Sequence, residues 1–315
     1  MHMSDALVSP PVAIGAAILS ASLIIVASNK LKNNTRPDIV PFMGVMGAFV
    51  FAAQMINFTI PGTGSSGHLI GGILLSAILG PWAGFITLCS ILIVQCLIFA
   101  DGGLLALGCN ILNMAATSCL LAYPLIYKPI SSNSLKPGRL MCASVLASVF
   151  ALELGALGVT LETELSGITS LPFTTFISFM LPIHLAIGLV EGLVTGTLII
   201  FIAGHRPAIL SPEGADEKEG QKRNKSLFWI FGIITLILAG GFSFLASEFP
   251  DGLEWSVEKV SENTELLEAS VPSTAVLPDY ESSLSGIIGA VIVMIILWGI
   301  SSLVFSQFRK TSKAK

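Results

Sequence analysis

The sequence predicts an all-helical membrane protein with several spans, and three observations support this fold class. Hydrophobic residues make up 53% of the 315 residues, charged residues make up 11%, and the mean hydropathy is +0.83. A soluble domain carries about 25% charged residues, so the composition excludes a soluble enzyme, a nucleic-acid-binding protein and a disordered chain. The apolar residues fall into long stretches separated by Gly, Pro and charged residues, which is typical of a polytopic bundle in membrane lipid.

Nine apolar stretches are candidate spans. In chain order they cover about 8–28, 39–57, 69–79, 82–99, 104–127, 139–159, 173–203, 226–246 and 285–306. A helical crossing needs about 20 residues, so we expect the short stretch 69–79 to be tilted, re-entrant or buried among other helices. The segment 206–225 mixes charges like a cytoplasmic linker. It divides the chain into a seven-span module, 1–205, and a two-span module, 226–315.

The basic residues predict the orientation. If the N-terminus is outside, every Lys and Arg except Lys259 lies on the inner side of the membrane. This segregation requires 69–79 to cross, and it predicts a multi-pass cell-membrane protein with a cytoplasmic C-terminus. The chain opens without a basic signal region or a convincing cleavage site, so we expect it to begin at Met1. The outer loop 247–284 is acidic; we interpret it as a solvated spacer, with attraction of cations as the alternative.

The first two residues form a pattern that can bind a metal ion. The Met1 amine, the His2 amide nitrogen and Nδ1 of the His2 imidazole can close two adjacent chelate rings in one plane. His68 is expected on the same side of the membrane, in the glycine-rich segment 61–68, and can supply a fourth nitrogen. Four nitrogens in a square are typical of Ni(II) or Cu(II). The alternatives, an incidental second residue and a plain outer loop, stay open at this stage.

Other polar residues are candidates for a second shell or a polar lining. Those assigned to this set are Ser4, Asp5, Asn57, Ser66, Asp101, Asn110, Asn113, His184 and Glu191. Ser4 and Asp5 are candidates to orient an imidazole. His184 and Glu191 are ionisable groups inside a span, where they indicate either a polar relay or hydrogen bonding between helices. The chain has no Gly-Lys dipeptide and therefore no P-loop, so an active transporter would use ATP on another chain.

Five separate motifs resemble the CbiM/NikM family, the substrate-capture components of energy-coupling factor transporters for cobalt and nickel. They are MHMSD at 1–5, PGTGSSGHL at 61–69, FADGGL at 99–104, NILNM at 110–114 and HLAIGLVEG at 184–192. The resemblance covers about 1–205 and implies a seven-helix capture bundle. It also implies that the metal ligands are the Met1 amine, the His2 amide and imidazole nitrogens, and the His68 imidazole. Relatives often have a shorter loop before the histidine than the one seen here.

The second module carries PDGLE at 250–254, which resembles the small auxiliary component of such transporters, here fused to the C-terminus. The resemblance implies a non-enzymatic importer subunit that binds no cofactor and carries Ni²⁺, or next Co²⁺, as its cargo. It implies that a transmembrane coupling protein and cytosolic ATPases are the partners of this subunit. It also implies that the subunit itself is surrounded by membrane lipid. Two other classes stay open: an intramembrane enzyme that uses His184 and Glu191 as acid and base, and a non-transporting scaffold or sensor.

Overall fold

The structure is a computed structural model that describes residues 1–34, 39–131, 135–205, 207–210, 229–242, 246–261, 286–297 and 299. Helices dominate the described residues. They are α1 (Pro10–Asn34), α2 (Ile39–Gln54), α3 (Gly72–Leu79), α4 (Pro81–Phe99), α5 (Leu107–Ser131), α6 (Pro137–Ser166), α7 (Phe173–His205), α8 (Trp229–Gly240), α9 (Gly252–Val260) and α10 (Gly286–Leu297). A short 3₁₀ turn, Asp5–Leu7, precedes α1, and a single helical turn, Pro207–Leu210, follows α7.

The prediction of a helical membrane protein is confirmed. Among the described residues, five helices are long and apolar enough to cross a membrane: α1, α4, α5, α6 and α7. Most of α5 is π-helical over Ile111–Tyr127, with Pro124 inside it. Parts of the last two predicted spans, at 226–228, 243–245, 285, 298 and 300–306, lie outside the described residues, so the count of nine crossings stays a prediction.

The short stretch 69–79 is buried among other helices, which was one of the three expected arrangements. Only Gly72–Leu79 is helical, and this helix packs against α4 and α5. The preceding glycine-rich segment is not a plain loop, which was the alternative that the sequence left open. Phe58–Ile60 (β1) and Ser65–Gly67 (β2) form an antiparallel hairpin, with Phe58 opposite Gly67 and Ile60 opposite Ser65. The hairpin carries His68 directly after its second strand.

Helices α6 and α7 form an antiparallel pair that is fixed by small residues. Gly188, Gly192 and Gly196 repeat every four residues along one face of α7, and each lies against the α6 backbone or side chains. A Cβ at Gly188 would lie 2.9 Å from Cα of Val149 on α6. Small residues at this spacing let membrane helices approach closely. The pair therefore gives a rigid wall on which His184 and Glu191, on the same helix, are held in place.

Candidate metal site

The N-terminal segment is tied down by backbone hydrogen bonds rather than by packing alone. The Met3 amide donates to Oδ1 of Asn110 at 2.8 Å, and Nδ2 of Asn110 donates back to the Met3 carbonyl at 3.2 Å. The amide of Gly103 donates to the same carbonyl at 2.9 Å. Oδ1 of Asp5 accepts from the amide of Ala106 at 3.0 Å. The segment therefore lies against the α4–α5 connection, and Met1 and Met3 are buried.

This segment brings the Met1 amine to the His68 imidazole. Nε2 of His68 lies 3.1 Å from the amine nitrogen, and Nδ1 lies 3.2 Å from the Leu69 carbonyl oxygen. Because a carbonyl oxygen can only accept, Nδ1 carries the proton and Nε2 presents a lone pair to the amine. His68 is thus in the tautomer that a metal ion would bind through Nε2.

Glu191 fixes the chain just beyond His68. Its two carboxylate oxygens accept from the amides of Ile70 and Gly71 at 2.9 and 3.1 Å. Gly71 has a positive φ of 76°, and a Cβ there would lie 2.6 Å from a methyl carbon of Val50, so the position requires glycine. Of the two interpretations of Glu191, the structure favours a polar contact between elements: the carboxylate of α7 holds the loop that carries His68.

The His2 ring stacks on the His68 ring, with ring centroids 5.1 Å apart and an angle of 21° between the planes. Nδ1 of His2 lies 3.1 Å from Oδ1 of Asp101, and Nε2 lies 3.3 Å from Oε1 of Gln95. Gln95 donates in turn to Gln54 at 2.9 Å. The predicted role of orienting an imidazole therefore falls to Asp101, whereas Asp5 binds backbone and orients the N-terminal segment instead.

The electrostatics of the site favour neutral imidazoles. Burial, with the Met1 ammonium nearby, lowers the pKa of both His2 and His68 to about 3. Burial raises the pKa of Asp101 to about 6. Burial also acts to raise the pKa of Asp251, but the adjacent Met1 ammonium outweighs it and holds this pKa well below its usual range. At neutral pH neither imidazole has to lose a proton before it can bind a metal ion.

The segment 246–261 covers the site, which the interpretation of a solvated spacer did not anticipate. The amide of Ser66 donates to the Pro250 carbonyl at 2.8 Å, and Nε1 of Trp255 donates to the Thr63 carbonyl at 3.0 Å. This segment thus binds the β1–β2 hairpin through several hydrogen bonds. The PDGLE motif begins where these contacts are made, and the rest of the predicted loop, 262–284, lies outside the described residues.

The remaining predicted lining residues form hydrogen bonds with groups other than the proposed metal ligands. The carbonyl of Asn57 accepts from the amide of Ser247 at 2.8 Å, and Nδ2 of Asn113 donates to Glu162 at 2.6 Å. The hydroxyl of Ser66 donates to the Phe249 carbonyl at 2.7 Å. The carbonyl of Ser4 accepts from Leu7 in the 3₁₀ turn.

His184 lies closer to the site. Its Nδ1 donates to the Met180 carbonyl at 2.7 Å, while its buried Nε2 has no hydrogen-bond partner among the residues that the structure describes. A small cavity of about 10 Å³ is lined by His184, Met1, His68 and Asp251 among others. That volume is room for about one water molecule.

Sequence reasoning assigned no role to Asp251, although its carboxylate pairs with the Met1 amine. The acidic composition of its surroundings gave no sign of a specific contact. The motif PDGLE itself was the one available signal, because an Asp followed three residues later by Glu is typical of a helix N-terminus.

The fold and the site together define the class of protein: a polytopic helical membrane protein that brings an amine and two neutral imidazoles together at a buried cleft beside two carboxylates. The model of the cobalt uptake substrate-specific transmembrane region (CbiM) matches residues 2–209, and that of the PDGLE domain matches residues 225–306. The chain belongs to the CbiM family, with a PDGLE domain fused to its C-terminus.

Known relatives are metal transport proteins. A putative fused nickel transport protein NikMN of Archaeoglobus fulgidus is 33% identical over 225 residues, which are 69% of this chain and 70% of that protein. A probable fused nickel transport protein LarMN of Lactiplantibacillus plantarum is 30% identical, over 83% of this chain and 80% of that protein. A crystal structure of a truncated transition metal transporter matches with a TM-score of 0.57 and 30% identity, covering 65% of this chain and 99% of that chain.

These relatives confirm the resemblance that the motifs indicated. The chain is a membrane component of a metal uptake system, and the prediction of a transporter subunit rather than an enzyme is confirmed. The use of His184 and Glu191 as an acid–base pair is therefore set aside. Both residues instead bind backbone groups, His184 at Met180 and Glu191 at the loop that follows His68.

Proposed function

We propose that this chain captures Ni²⁺, and next Co²⁺, for an ATP-driven importer of the energy-coupling factor type. The observation that carries the proposal is the approach of the Met1 amine to Nε2 of His68, at 3.1 Å. Metal–nitrogen bonds of about 2.0 Å at right angles place neighbouring nitrogens about 2.8 Å apart. The two groups thus lie close to the separation of adjacent corners of a square nitrogen site before any ion is present.

The other two nitrogens come from His2. Its amide and its Nδ1 would close the two chelate rings, with His68 opposite the amide. In the structure Nδ1 of His2 contacts Asp101, so capture exchanges this contact for the ion and turns the imidazole. Two carboxylates, Asp101 and Asp251, lie beside the nitrogens and offset the charge of a dication without acting as a cage of oxygen ligands. Such a site disfavours octahedral ions such as Mg²⁺.

Two points favour nickel over cobalt as the cargo. A square of nitrogens is a geometry typical of Ni(II). Relatives whose PDGLE-type arrangement is also fused are named as nickel transport proteins in Archaeoglobus fulgidus, Lactiplantibacillus plantarum and Rhodobacter capsulatus. A relative in Sorangium cellulosum, 29% identical over 61% of this chain, is named as a cobalt transport protein, which keeps cobalt as the second candidate.

The remaining features of the proposal concern the whole importer. The N-terminus is extracytoplasmic and the C-terminus cytoplasmic, which the segregation of Lys and Arg supports. Residues 1–205 form the capture module, 206–225 the linker and 226–315 the second module. A transmembrane coupling protein and cytosolic ATPases drive release to the cytoplasm, since the chain has no P-loop of its own.

The ligand set is tested by metal content and affinity of the purified full chain. We expect His2→Ala and His68→Ala to lose tight nickel binding, whereas His205→Ala, a matched control at the exposed end of α7, keeps it. One alanine added before Met1 should also abolish tight binding, because it moves the amine out of the chelate. Wild-type nickel content in both histidine variants would refute the site. Metal analysis of protein purified after exposure to both nickel and cobalt ions decides which of the two metals the chain prefers.

A further inference from the structure

The two carboxylate oxygens of Asp251 have different partners. Oδ1 accepts from the amides of Leu253 and Glu254 at 2.8 and 3.0 Å and so caps the N-terminus of α9. Oε2 of Glu254 accepts from the Asp251 amide at 3.1 Å, which completes a capping box. The backbone thus fixes one oxygen, and the other, Oδ2, pairs with the Met1 amine. A carboxylate held in this way has little freedom to turn away from the amine.

The amine is held by two acceptors at once. Oδ2 of Asp251 lies 3.9 Å from Nε2 of His68, and the Met1 amine contacts both. The side chain of Met1 is 3% exposed and that of Asp251 is 15% exposed, so little water reaches the pair. The position of the amine beside His68 therefore depends on Asp251, and Asp251 belongs to the second module rather than to the module that carries the nitrogens.

The charge that Asp251 faces is the same before and after capture. The free amine is a single positive charge as an ammonium. A dication bound to a neutral amine, a deprotonated amide and two neutral imidazoles also carries one net positive charge. A metal-bound amine keeps two N–H groups, so it can still donate to Oδ2. The carboxylate therefore suits both states of the site, and its contribution is to orient the amine.

We infer that Asp251 is a positioning residue of the capture site: its carboxylate, supplied by the fused second module, holds the Met1 amine beside His68 and accepts a hydrogen bond from the metal-bound amine. This inference rests on the proposed function. Loss of such an outer partner of a metal ligand lowers metal affinity by about 10- to 100-fold. The fusion then has a chemical consequence, because each capture module receives its own Asp251.

The test compares Asp251→Asn with the control Glu258→Gln in the full chain, purified in detergent. Asparagine keeps an oxygen that caps a helix as well as aspartate does, but it removes the charge that faces the amine. Glu258→Gln removes a charge from an exposed residue of the same helix and leaves both the capping box and the amine contact in place. Two quantities are measured: the nickel dissociation constant by calorimetry, and the rate at which an acetylating N-hydroxysuccinimide ester modifies the Met1 amine in metal-free protein.

We expect Asp251→Asn to raise the nickel dissociation constant about 10- to 100-fold and to speed acetylation of the amine, whereas Glu258→Gln leaves both unchanged. Trp255 fluorescence reports whether α9 stays in place. Asp251→Ser, which also caps a helix without a charge, provides the second variant if the first does not fold. Wild-type affinity together with wild-type acetylation in either folded variant overturns the inference. If the wild-type chain binds no nickel, the proposed function fails, and acetylation alone decides the role of Asp251.

Discussion

Glu191 offers the sharpest test of how the fold builds the site, through the substitution Glu191→Gln. The carboxylate is buried and accepts from the amides of Ile70 and Gly71 at 2.9 and 3.1 Å. Glutamine keeps one acceptor oxygen and turns an NH₂ group toward the other amide. A hydrogen bond to a charged group contributes about 1.5–3 kcal/mol, so we expect the variant to lose about 2 kcal/mol of stability.

The loss should appear both in unfolding and in binding. For a large domain about 2 kcal/mol corresponds to a fall in Tm of about 4–8 °C, measured by thermal unfolding of the metal-free chain in detergent. Because the freed loop carries His68, nickel affinity should fall about tenfold, as for other outer partners of metal ligands. Glu191→Ala removes both acceptor oxygens and should lower the free energy of unfolding by about twice as much as Glu191→Gln.

The matched control is Glu164→Gln, which neutralises an exposed carboxylate near the end of α6 and should leave both Tm and nickel affinity unchanged. The structural role of Glu191 would be refuted if Glu191→Gln unfolded and bound nickel like the wild type. A proton relay gives a different outcome, in which transport by the full importer is lost while stability and affinity stay at wild-type values.

Two further predictions concern the pH response and the contact between the modules. In the folded chain the pKa values of His2 and His68 are both about 3, against about 6.5 when unfolded. Since these two histidines bind more protons in the unfolded chain, each should lower the stability as the pH drops from about 6.5 toward 3, by about 1.4 kcal/mol per pH unit. Asp101, whose pKa is raised to about 6 in the folded chain, acts in the opposite direction between about pH 6 and 4. In His68→Gln the slope measured by thermal unfolding should lose the contribution of one histidine, about 1.4 kcal/mol per pH unit; an unchanged slope would contradict it. A Cβ at Gly252 would lie 2.8 Å from Cδ1 of Ile187, so Gly252→Ala should destabilise the chain by about 1–3 kcal/mol and alter Trp255 fluorescence. Ile187→Val, which removes that methyl group, should partly restore both readouts.

Much of the fold follows from local properties of the sequence. The bounds of α4 and α7 lie within two residues of the apolar stretches 82–99 and 173–203, because hydropathy along the chain reports directly on contact with lipid. The sequence did not predict the hairpin at 58–67, since three-residue strands are too short to show an alternating pattern and β2 consists of Ser and Gly alone. The segment around Pro250, which is far from the hairpin in the sequence, adds a backbone hydrogen bond to β2.

The residues proposed to bind the metal were also readable in advance, but their supports were not. Met1, His2 and His68 stand out because a chelate formed by the first two residues is local chemistry, and because the positions of Lys and Arg predict which residues share a side of the membrane. Asp5 was assigned to an imidazole and instead binds the amide of Ala106. The carboxylate that contacts the His2 imidazole is Asp101.

The sequence by itself determined the class of protein, the approximate extent of its main helices and the nitrogen groups that could meet at one site. The tertiary structure decided which polar group supports each of them. Glu191 reaches the backbone beyond His68 from 120 residues away, and Asp251 reaches the Met1 amine from 250 residues away. Hydropathy is a property of each segment alone, whereas the partner of a buried charge depends on which segments pack together. Only the packed chain therefore shows that Asp251 contacts the Met1 amine.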